Sequence, residues 1–273
     1  MGRISSVFHW DFMKIGVCTS IENAAIAREA GFDFVEENVQ NFLLPEEPEP
    51  AFAAKRATTQ GAPLPVPAAN CFLPGALKCT GPIVDEKRLL RYAETAFRRA
   101  RRAGIRHIVL GSGGSRNIPE SFSPGEARIQ FLHLLRELAP LAQAHDVVVV
   151  LECLNRGECN FLNALAEGAA LVEEVSHPHV RLLADLYHMA VEGEGAPELI
   201  AHGRWLEHVH VAEVEGRQAP GTSGEDFGAA LRALKEIGYR GAISYECGWQ
   251  NFAAQATSSL KSFRAQVARA GLA

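Results

Sequence analysis

The stretch VVVVLECLNRGECN, residues 147–160, joins the most apolar run of the chain to a carboxylate. Residues 147–151 are aliphatic and mostly β-branched, which is typical of a short strand that is buried on both faces. Glu152 follows directly at the end of this strand. Burying an ionised carboxylate is costly unless it is paired, hydrogen-bonded or bound to a metal ion. The stretch therefore predicts a buried strand and a specific partner for Glu152.

The same strand-like pattern recurs along the chain and alternates with helical segments. Strands are predicted at residues 14–18, 32–39, 64–71, 105–112, 147–153, 180–185, 205–213 and 241–247. Helices are predicted near residues 21–30, 46–60, 85–103, 124–144, 163–175, 196–203, 226–237 and 252–270. Eight strands that are each followed by a helix, in a chain close to the usual length of about 250 residues, indicate an α/β fold with a single (β/α)8 TIM barrel. A doubly wound open sheet is the alternative, but no GxGxxG follows the first strand.

The domain limits follow from the first strand. We expect one barrel domain over residues 13–273, because no linker or low-complexity tract interrupts the pattern. Residues 1–12 precede the first strand and are expected to be either a disordered extension or a segment upstream of the true start. This leader has no apolar core of the length that a signal peptide needs.

The composition narrows the classes of partner. The chain has 273 residues, a formal net charge of −5 and 47% hydrophobic residues, which is ordinary for a globular protein. A duplex-binding protein usually presents a basic face, so nucleic acid is not expected as a partner. No run of about 18 apolar residues exists, so no membrane span is expected. The six cysteines form no CxxC pair or regular framework, which favours a reduced, cytoplasmic compartment.

Four consecutive strands carry a carboxylate or an imidazole where they end. Strands five, six and eight end in Glu152, Asp185 and Glu246, and strand seven carries His208 and His210 on one side. Any one of these side chains alone could be an ordinary ion-pair partner. In a closed barrel the four strand ends meet above the core, where clustered carboxylates repel one another unless a cation neutralises them. His210 lies nearer the strand end and is the better ligand, and His208 is expected in the layer below.

The segments LECLNRGECN, ADLYHM, HVHVAE and SYE resemble the xylose isomerase-like TIM barrels, within them the ketose 3-epimerase and hydroxypyruvate isomerase group. The resemblance is closest over residues 145–250. It implies one divalent metal ion held by Glu152, Asp185, His210 and Glu246. It also implies that Glu152 and Glu246 form the acid/base pair. Carboxylates with one imidazole suit Mn²⁺, our first expectation, and also Mg²⁺, Co²⁺ or Zn²⁺.

The resemblance also points to residues beside a small sugar substrate and to a homodimer or homotetramer. Glu158 and His188 correspond to substrate-side residues, and Arg217 does so if its loop has gained one residue. Arg116 lies in the glycine-rich loop GSGGSRN, which could hold a phosphate or carboxylate or contact sugar hydroxyls. We add Asn70, at the end of strand three, to the candidate substrate-binding residues.

The expected chemistry is proton transfer next to a sugar carbonyl. A divalent ion that chelates a carbonyl and its neighbouring hydroxyl acidifies the C–H between them and stabilises an ene-diolate. Return of the proton to the other face gives epimerisation, and return to the adjacent carbon gives aldose–ketose isomerisation. The same site could drive elimination, so a lyase or dehydratase acting on a keto-sugar, keto-glycoside or inosose is the alternative. A metal-binding or sugar-sensing protein without activity is a third reading.

The endonuclease IV-type DNA repair enzymes of the same superfamily are not expected. They hold three zinc ions and need additional histidines at early strand ends and an Asp-x-His pair after strand seven. Here strand three ends in Asn70, and residues 211–229 contain no such pair.

Glu36 and Glu37 lie at the end of strand two. Either could bind a sugar hydroxyl, or one of them could pair with Lys14 or an arginine.

Overall fold

The computed structural model describes residues 13–272, so the predicted leader lies outside the described residues. Eight parallel strands pair in sequence order and close on themselves, which confirms the predicted TIM barrel. The strands are β1 Ile15–Cys18, β2 Phe34–Asn38, β3 Ala68–Asn70, β4 His107–Leu110, β5 Val148–Glu152, β6 Val180–Asp185, β7 Leu206–Val211 and β8 Ala242–Tyr245. The α-helices are α1 Ala24–Ala30, α2 Glu49–Ala57, α3 Glu86–Ala103, α4 Gly113–Arg116, α5 Pro124–Ala144, α6 Leu165–Val175, α7 Leu186–Val191, α8 Ala196–His202, α9 Gly228–Glu236 and α10 Phe252–Ala270.

Strand β5 shows how the apolar run delivers a carboxylate to the mouth of the barrel. Successive side chains of a strand point to opposite faces. Val148 and Val150 accordingly belong to a small cluster inside the barrel, while Val149 and Leu151 join the large core between the strands and the helices. Glu152 continues the inward series at the carboxyl end of the strand and is buried.

Strand β3 is shorter than predicted. The run that starts at residue 64 contains Pro65 and Pro67, which have no N–H to donate to a neighbouring strand. Both prolines still act as acceptors: Val35 donates to the carbonyl of Pro65, and Arg106 and His107 donate to that of Pro67. The chain therefore runs beside β2 and β4 but has regular strand pairing only at residues 68–70.

Two short helices lie in segments that the sequence pattern does not predict as helical. Helix α4 lies in the predicted loop after β4, and α7 follows β6 directly. Asp185 ends β6 and caps α7, since its Oδ1 accepts hydrogen bonds from the backbone N–H groups of Tyr187 and His188 at 2.8 and 3.2 Å. This cap fixes one oxygen of Asp185 and places His188 in the first turn of α7. No helix in residues 13–272 is both long and apolar enough to cross a lipid bilayer.

Candidate active site

The carboxyl ends of β5 to β8 bring Glu152, Asp185, His210 and Glu246 together. His210 Nδ1 lies 3.4 Å from Glu152 Oε1, 3.5 Å from Glu246 Oε2 and 4.0 Å from Asp185 Oδ2. Three carboxylates thus surround one imidazole nitrogen, as the convergence of the strand ends predicts.

Three of these atoms are buried and have no hydrogen-bond partner in the described part of the chain: Glu152 Oε1, Asp185 Oδ2 and His210 Nδ1. Unsatisfied polar atoms in a protein interior are rare and costly. A divalent cation held between them would compensate all three at once, and carboxylate oxygens with an imidazole nitrogen are a suitable donor set. The residues present therefore fit a metal ion.

His188 also lies within reach of the carboxylates, because its ligand atom and those of Glu152, Asp185 and Glu246 fall within 4.8 Å of one another. Both of its ring nitrogens already have contacts, however. Nδ1 is 2.8 Å from the Asn155 amide nitrogen, and Nε2 is 3.4 Å from a guanidinium nitrogen of Arg217. His210 is the better metal ligand of the two, because its Nδ1 faces the three carboxylates and has no hydrogen-bond partner in the described residues.

A buried carboxylate on β2 supports His210 from below. Glu36 Oε1 lies 2.9 Å from His210 Nε2, and Glu36 Oε2 lies 2.8 Å from His208 Nε2. Ser244 on β8 donates to Glu36 Oε2 at 2.6 Å. The expected hydroxyl-binding role of Glu36 is therefore wrong, and His208 lies in the layer below His210, as expected. Lys14 pairs with Asp33.

Glu37, the neighbour of Glu36 in sequence, also serves the fold. It is buried, and its two oxygens accept hydrogen bonds from the backbone N–H groups of Ile21 and Asn38, at 2.5 and 3.1 Å. It stabilises the turn after β1, so the expectation that it binds a sugar hydroxyl is also wrong.

The acidic groups of the site have widely separated proton affinities. Burial, together with the charges of Glu152 and Glu246, raises the pKa of Asp185 to about 8. Burial and the charge of Glu246 also raise the pKa of Glu152. Burial acts in the same direction on Glu246, but the charges of His210 and Arg217 outweigh it and lower the pKa of Glu246 to about 2. Carboxyl groups whose pKa values are driven apart by their surroundings are typical of acid/base chemistry.

A cavity of about 430 Å³ opens above these carboxylates. Its lining includes three of the predicted substrate-side residues, Glu158, His188 and Arg217. Arg217 lies 3.1 Å from Glu158 Oε1 and 2.5 Å from Glu246 Oε2, and its guanidinium stacks over the ring of Tyr187. The structure thus brings these predicted residues together with the carboxylate cluster.

Asn155 organises the wall of this cavity, and the sequence analysis did not single it out. Its side-chain amide lies 2.8 Å from His188 Nδ1 and 3.2 Å from Glu158 Oε1. Burial, followed by the nearby charge of Arg217, lowers the pKa of His188 to about 3. A neutral His188 can accept a hydrogen bond at one nitrogen and donate at the other.

The two remaining predicted residues occupy different positions. Asn70 donates to Glu246 Oε1 at 2.9 Å, so it contacts the site directly. Arg116 is fully buried, and its Nη1 donates to the backbone carbonyls of Glu152 and Leu110 at 2.7 and 3.3 Å. Arg116 therefore supports the end of β5, and contact with a substrate would require it to leave this position.

The loop that carries Arg217 is held by Glu213. This carboxylate is buried and accepts hydrogen bonds from four backbone N–H groups of the same loop, those of Gly221, Ser223, Gly224 and Glu225. Arg217 itself adopts a left-handed conformation with φ of 49°. Residues other than glycine rarely adopt this backbone conformation, so the contacts of the loop must hold Arg217 in it at a modest cost in local strain.

Comparison with known proteins identifies the family of this chain. A model of the xylose isomerase-like TIM barrel family matches residues 24–266. The chain belongs to this family. The family assignment agrees with the resemblance seen in the sequence and with the closed barrel.

Relatives of the chain include sugar epimerases and putative hydroxypyruvate isomerases. The chain is 29% identical over 235 residues to 3-dehydro-D-guloside 4-epimerase of Escherichia coli K12, covering 83% of this chain and 86% of that protein. It is 38% identical over 122 residues to L-ribulose 3-epimerase of Methylomonas sp. DH-1, but this match spans only 44% of the chain and 42% of the relative.

Solved structures share the barrel fold of this chain. The crystal structure of 3-keto-D-glucoside 4-epimerase from E. coli is similar with a TM-score of 0.79 and 26% identity, covering 93% of this chain and 99% of that one. D-allulose 3-epimerase from Methylomonas sp. shares the fold with a TM-score of 0.81 at 23% identity, over 96% of this chain and 100% of that one.

Proposed function

We propose that this xylose isomerase-like protein is a divalent-metal-dependent epimerase that moves a proton at a carbon next to a sugar carbonyl. The observation that carries the proposal is the approach of Glu152 and Glu246 to one imidazole nitrogen, at 3.4 and 3.5 Å, from strands three places apart in the barrel. Two carboxylates that reach one point from different sides can serve the two faces of a substrate carbon.

The proposed metal ligands are Glu152, Asp185, His210 and Glu246. The buried atoms without hydrogen-bond partners, on three of these four residues, support the assignment. When bound, the ion would polarise the substrate carbonyl and stabilise the negative charge that develops on its oxygen. We expect Mn²⁺ first, with Mg²⁺, Co²⁺ and Zn²⁺ as alternatives.

The chain's own residues would then carry out the proton transfer. Glu152 or Glu246, depending on the direction of the reaction, removes the proton from the carbon next to the carbonyl, and the other returns a proton to the opposite face. A positioned acid or base of this kind contributes about 10²- to 10⁴-fold. Asn70 and Arg217 hold the two oxygens of Glu246, and Arg116 holds the backbone at Glu152.

The walls of the cavity favour an uncharged substrate. Besides the metal ligands they carry one more carboxylate, Glu158, and one cation, Arg217, which already pairs with Glu158, Glu246 and Asp185. The other lining residues are uncharged, and include Gln40, Cys71, Leu73, Ser112, Gly113, Leu154 and Cys247. A phosphate group here would face more negative than positive charge. We therefore propose a keto-glycoside or free ketose without a phosphate, and the extent of the match to a guloside epimerase favours the glycoside.

Two further expectations come from the sequence, the oligomeric state from the family resemblance and the location from the cysteine pattern. We infer a homodimer or homotetramer, which light scattering coupled to gel filtration would measure, and a cytoplasmic location.

The test is deuterium incorporation from solvent. Metal-loaded protein would be incubated in D2O with free ketoses, phosphorylated ketoses, hydroxypyruvate and 3-keto-glycosides, and NMR spectra would be taken after removal of the metal. We expect deuterium at a carbon next to the carbonyl and signals of the epimer, both abolished by Glu246→Gln or by EDTA. The matched control is Glu236→Gln, which changes an exposed glutamate of α9.

Two results would change the assignment. Loss of a hydroxyl or glycosyl substituent together with exchange would identify a lyase or dehydratase that uses the same carboxylates. No exchange with any compound, in protein shown to hold its metal, would contradict the proton-transfer proposal.

A further inference from the structure

One buried carboxylate, Glu36 on β2, reaches across the barrel interior to side chains of β7 and β8. Its Oε1 lies 2.9 Å from His210 Nε2, and its Oε2 lies 2.8 Å from His208 Nε2 and 2.6 Å from Ser244 Oγ. Both oxygens are therefore committed, and the side chain is only 1% exposed. A carboxylate buried to this degree is costly unless every lone pair finds a donor.

The contact with Glu36 decides which nitrogen of His210 is available to a metal. A carboxylate can only accept, so His210 Nε2 must carry the hydrogen that it donates to Glu36. A metal ion binds the neutral imidazole, in which Nδ1 then keeps its lone pair. This is the atom that lies within 4.0 Å of all three carboxylates without a hydrogen-bond partner in the described residues. The orientation of the ring is set by the same bond.

The contacts on the other oxygen keep Glu36 itself in place. His208 Nε2 and Ser244 Oγ both approach Oε2, and the His208 ring stacks on that of His107 with 6.0 Å between centroids. Because Oε2 is held by two groups, the carboxylate cannot rotate away from His210 without breaking two further hydrogen bonds. The cluster below the site is thus organised around a single carboxylate.

We propose that Glu36 is a positioning residue of the metal centre, which fixes the tautomer and the ring orientation of His210 so that Nδ1 faces the metal. This inference rests on the proposed metal-dependent function. Partners that bind the second nitrogen of a ligating histidine orient the ring and raise its basicity, and their loss commonly lowers metal affinity by about 10- to 100-fold.

The first test compares metal affinity in Glu36→Gln and wild type by competition with a fluorescent chelator, using Mn²⁺ and Zn²⁺. Ser244 Oγ and His208 Nε2 both approach the Oε2 position, so the glutamine oxygen is expected there and its amide nitrogen opposite His210 Nε2. A donor at this place favours the tautomer of His210 that is protonated at Nδ1. We expect a Kd that is about 10- to 100-fold higher. Glu37→Gln is the matched control, because Glu37 is a buried carboxylate of the same strand whose oxygens accept from the backbone N–H groups of Ile21 and Asn38. Its Kd should stay within about threefold of wild type.

A second measurement does not depend on how well the variant folds. Long-range ¹H–¹⁵N spectra of histidine-labelled wild type with Zn²⁺ report the tautomer of His210. The signals of His210 are assigned as those that are missing from the spectrum of His210→Gln. We expect a proton on Nε2. A proton on Nδ1, or a folded Glu36→Gln protein that binds metal as tightly as wild type, would overturn the inference about Glu36. A wild-type protein that binds no divalent metal would instead overturn the proposed function.

Discussion

Gly111, the first residue after β4, controls the position of the Glu152 carboxylate. Leu110 pairs with Leu151, so Gly111 lies beside Glu152. A Cβ added at Gly111 would fall 2.0 Å from Glu152 Oε2, whereas an ordinary non-bonded contact is about 3.5 Å. Gly111→Ala must therefore displace this oxygen by about 1.5 Å. Since the displaced atom is the end of a side chain, we expect little loss of stability.

The functional effect of Gly111→Ala should be large, because a misplacement of about 1 Å in a catalytic group can lower a rate by about 10²-fold. We expect the rate of deuterium exchange to fall by about 10²-fold and the metal affinity to weaken, while the Tm of the metal-free protein changes by no more than about 2 °C. Gly75→Ala is the matched control, since its added Cβ would lie 3.7 Å from the nearest atom. Wild-type exchange in a folded Gly111→Ala protein would refute the idea that Glu152 must keep its position.

Three other outcomes follow from the same contacts. Asp185→Asn keeps the cap of α7 but replaces an oxygen of the proposed metal site. Metal affinity, measured by titration, should fall at least ~10-fold, and the unfolding free energy, measured by urea denaturation, should change by less than about 1 kcal/mol. A metal ion at a hundredfold excess over its Kd should stabilise the protein by about 2.7 kcal/mol, or roughly 5 °C in Tm, and no shift in a thermal scan would contradict metal binding. Glu213→Gln should cost about 2 kcal/mol at pH 7. Burial raises the pKa of Glu213, but the hydrogen bonds from the backbone N–H groups outweigh it and lower the pKa. The stabilisation by Glu213 is therefore present above its unfolded pKa of about 4.3 and is lost as the pH falls through its folded pKa. The difference in stability between Glu213→Gln and wild type should shrink below pH 4.

The barrel and the four strand-end residues could be predicted because their signals are local. The alternation of Val148, Val150 and Glu152 along one strand fixes which side chains point inward, and the spacing of His208 and His210 does the same on β7. Parallel order in a barrel then brings the strand ends together.

The residues that the sequence analysis missed or misplaced depend on distant contacts. Glu36 meets partners 172 to 208 residues away, and nothing within FVEENV distinguishes it from Glu37. The sequence analysis expects Arg116 to contact the substrate, but the short helix α4 turns its side chain toward the backbone at the end of β5. Gly111 matters only through a side chain on the next strand. Such contacts arise from closure of the barrel and leave no periodic pattern in the sequence.

Proton transfer by two carboxylates, Glu152 and Glu246, is tested most directly by where deuterium first appears. In D2O, early in the reaction, we expect the epimer that forms to carry deuterium at the inverted carbon while the unreacted substrate stays unlabelled, because each face has its own acid/base group. Glu246→Gln and Glu152→Gln should each stop inversion. Equal labelling of substrate and product from the start, or inversion that survives both substitutions, would contradict the two-carboxylate mechanism.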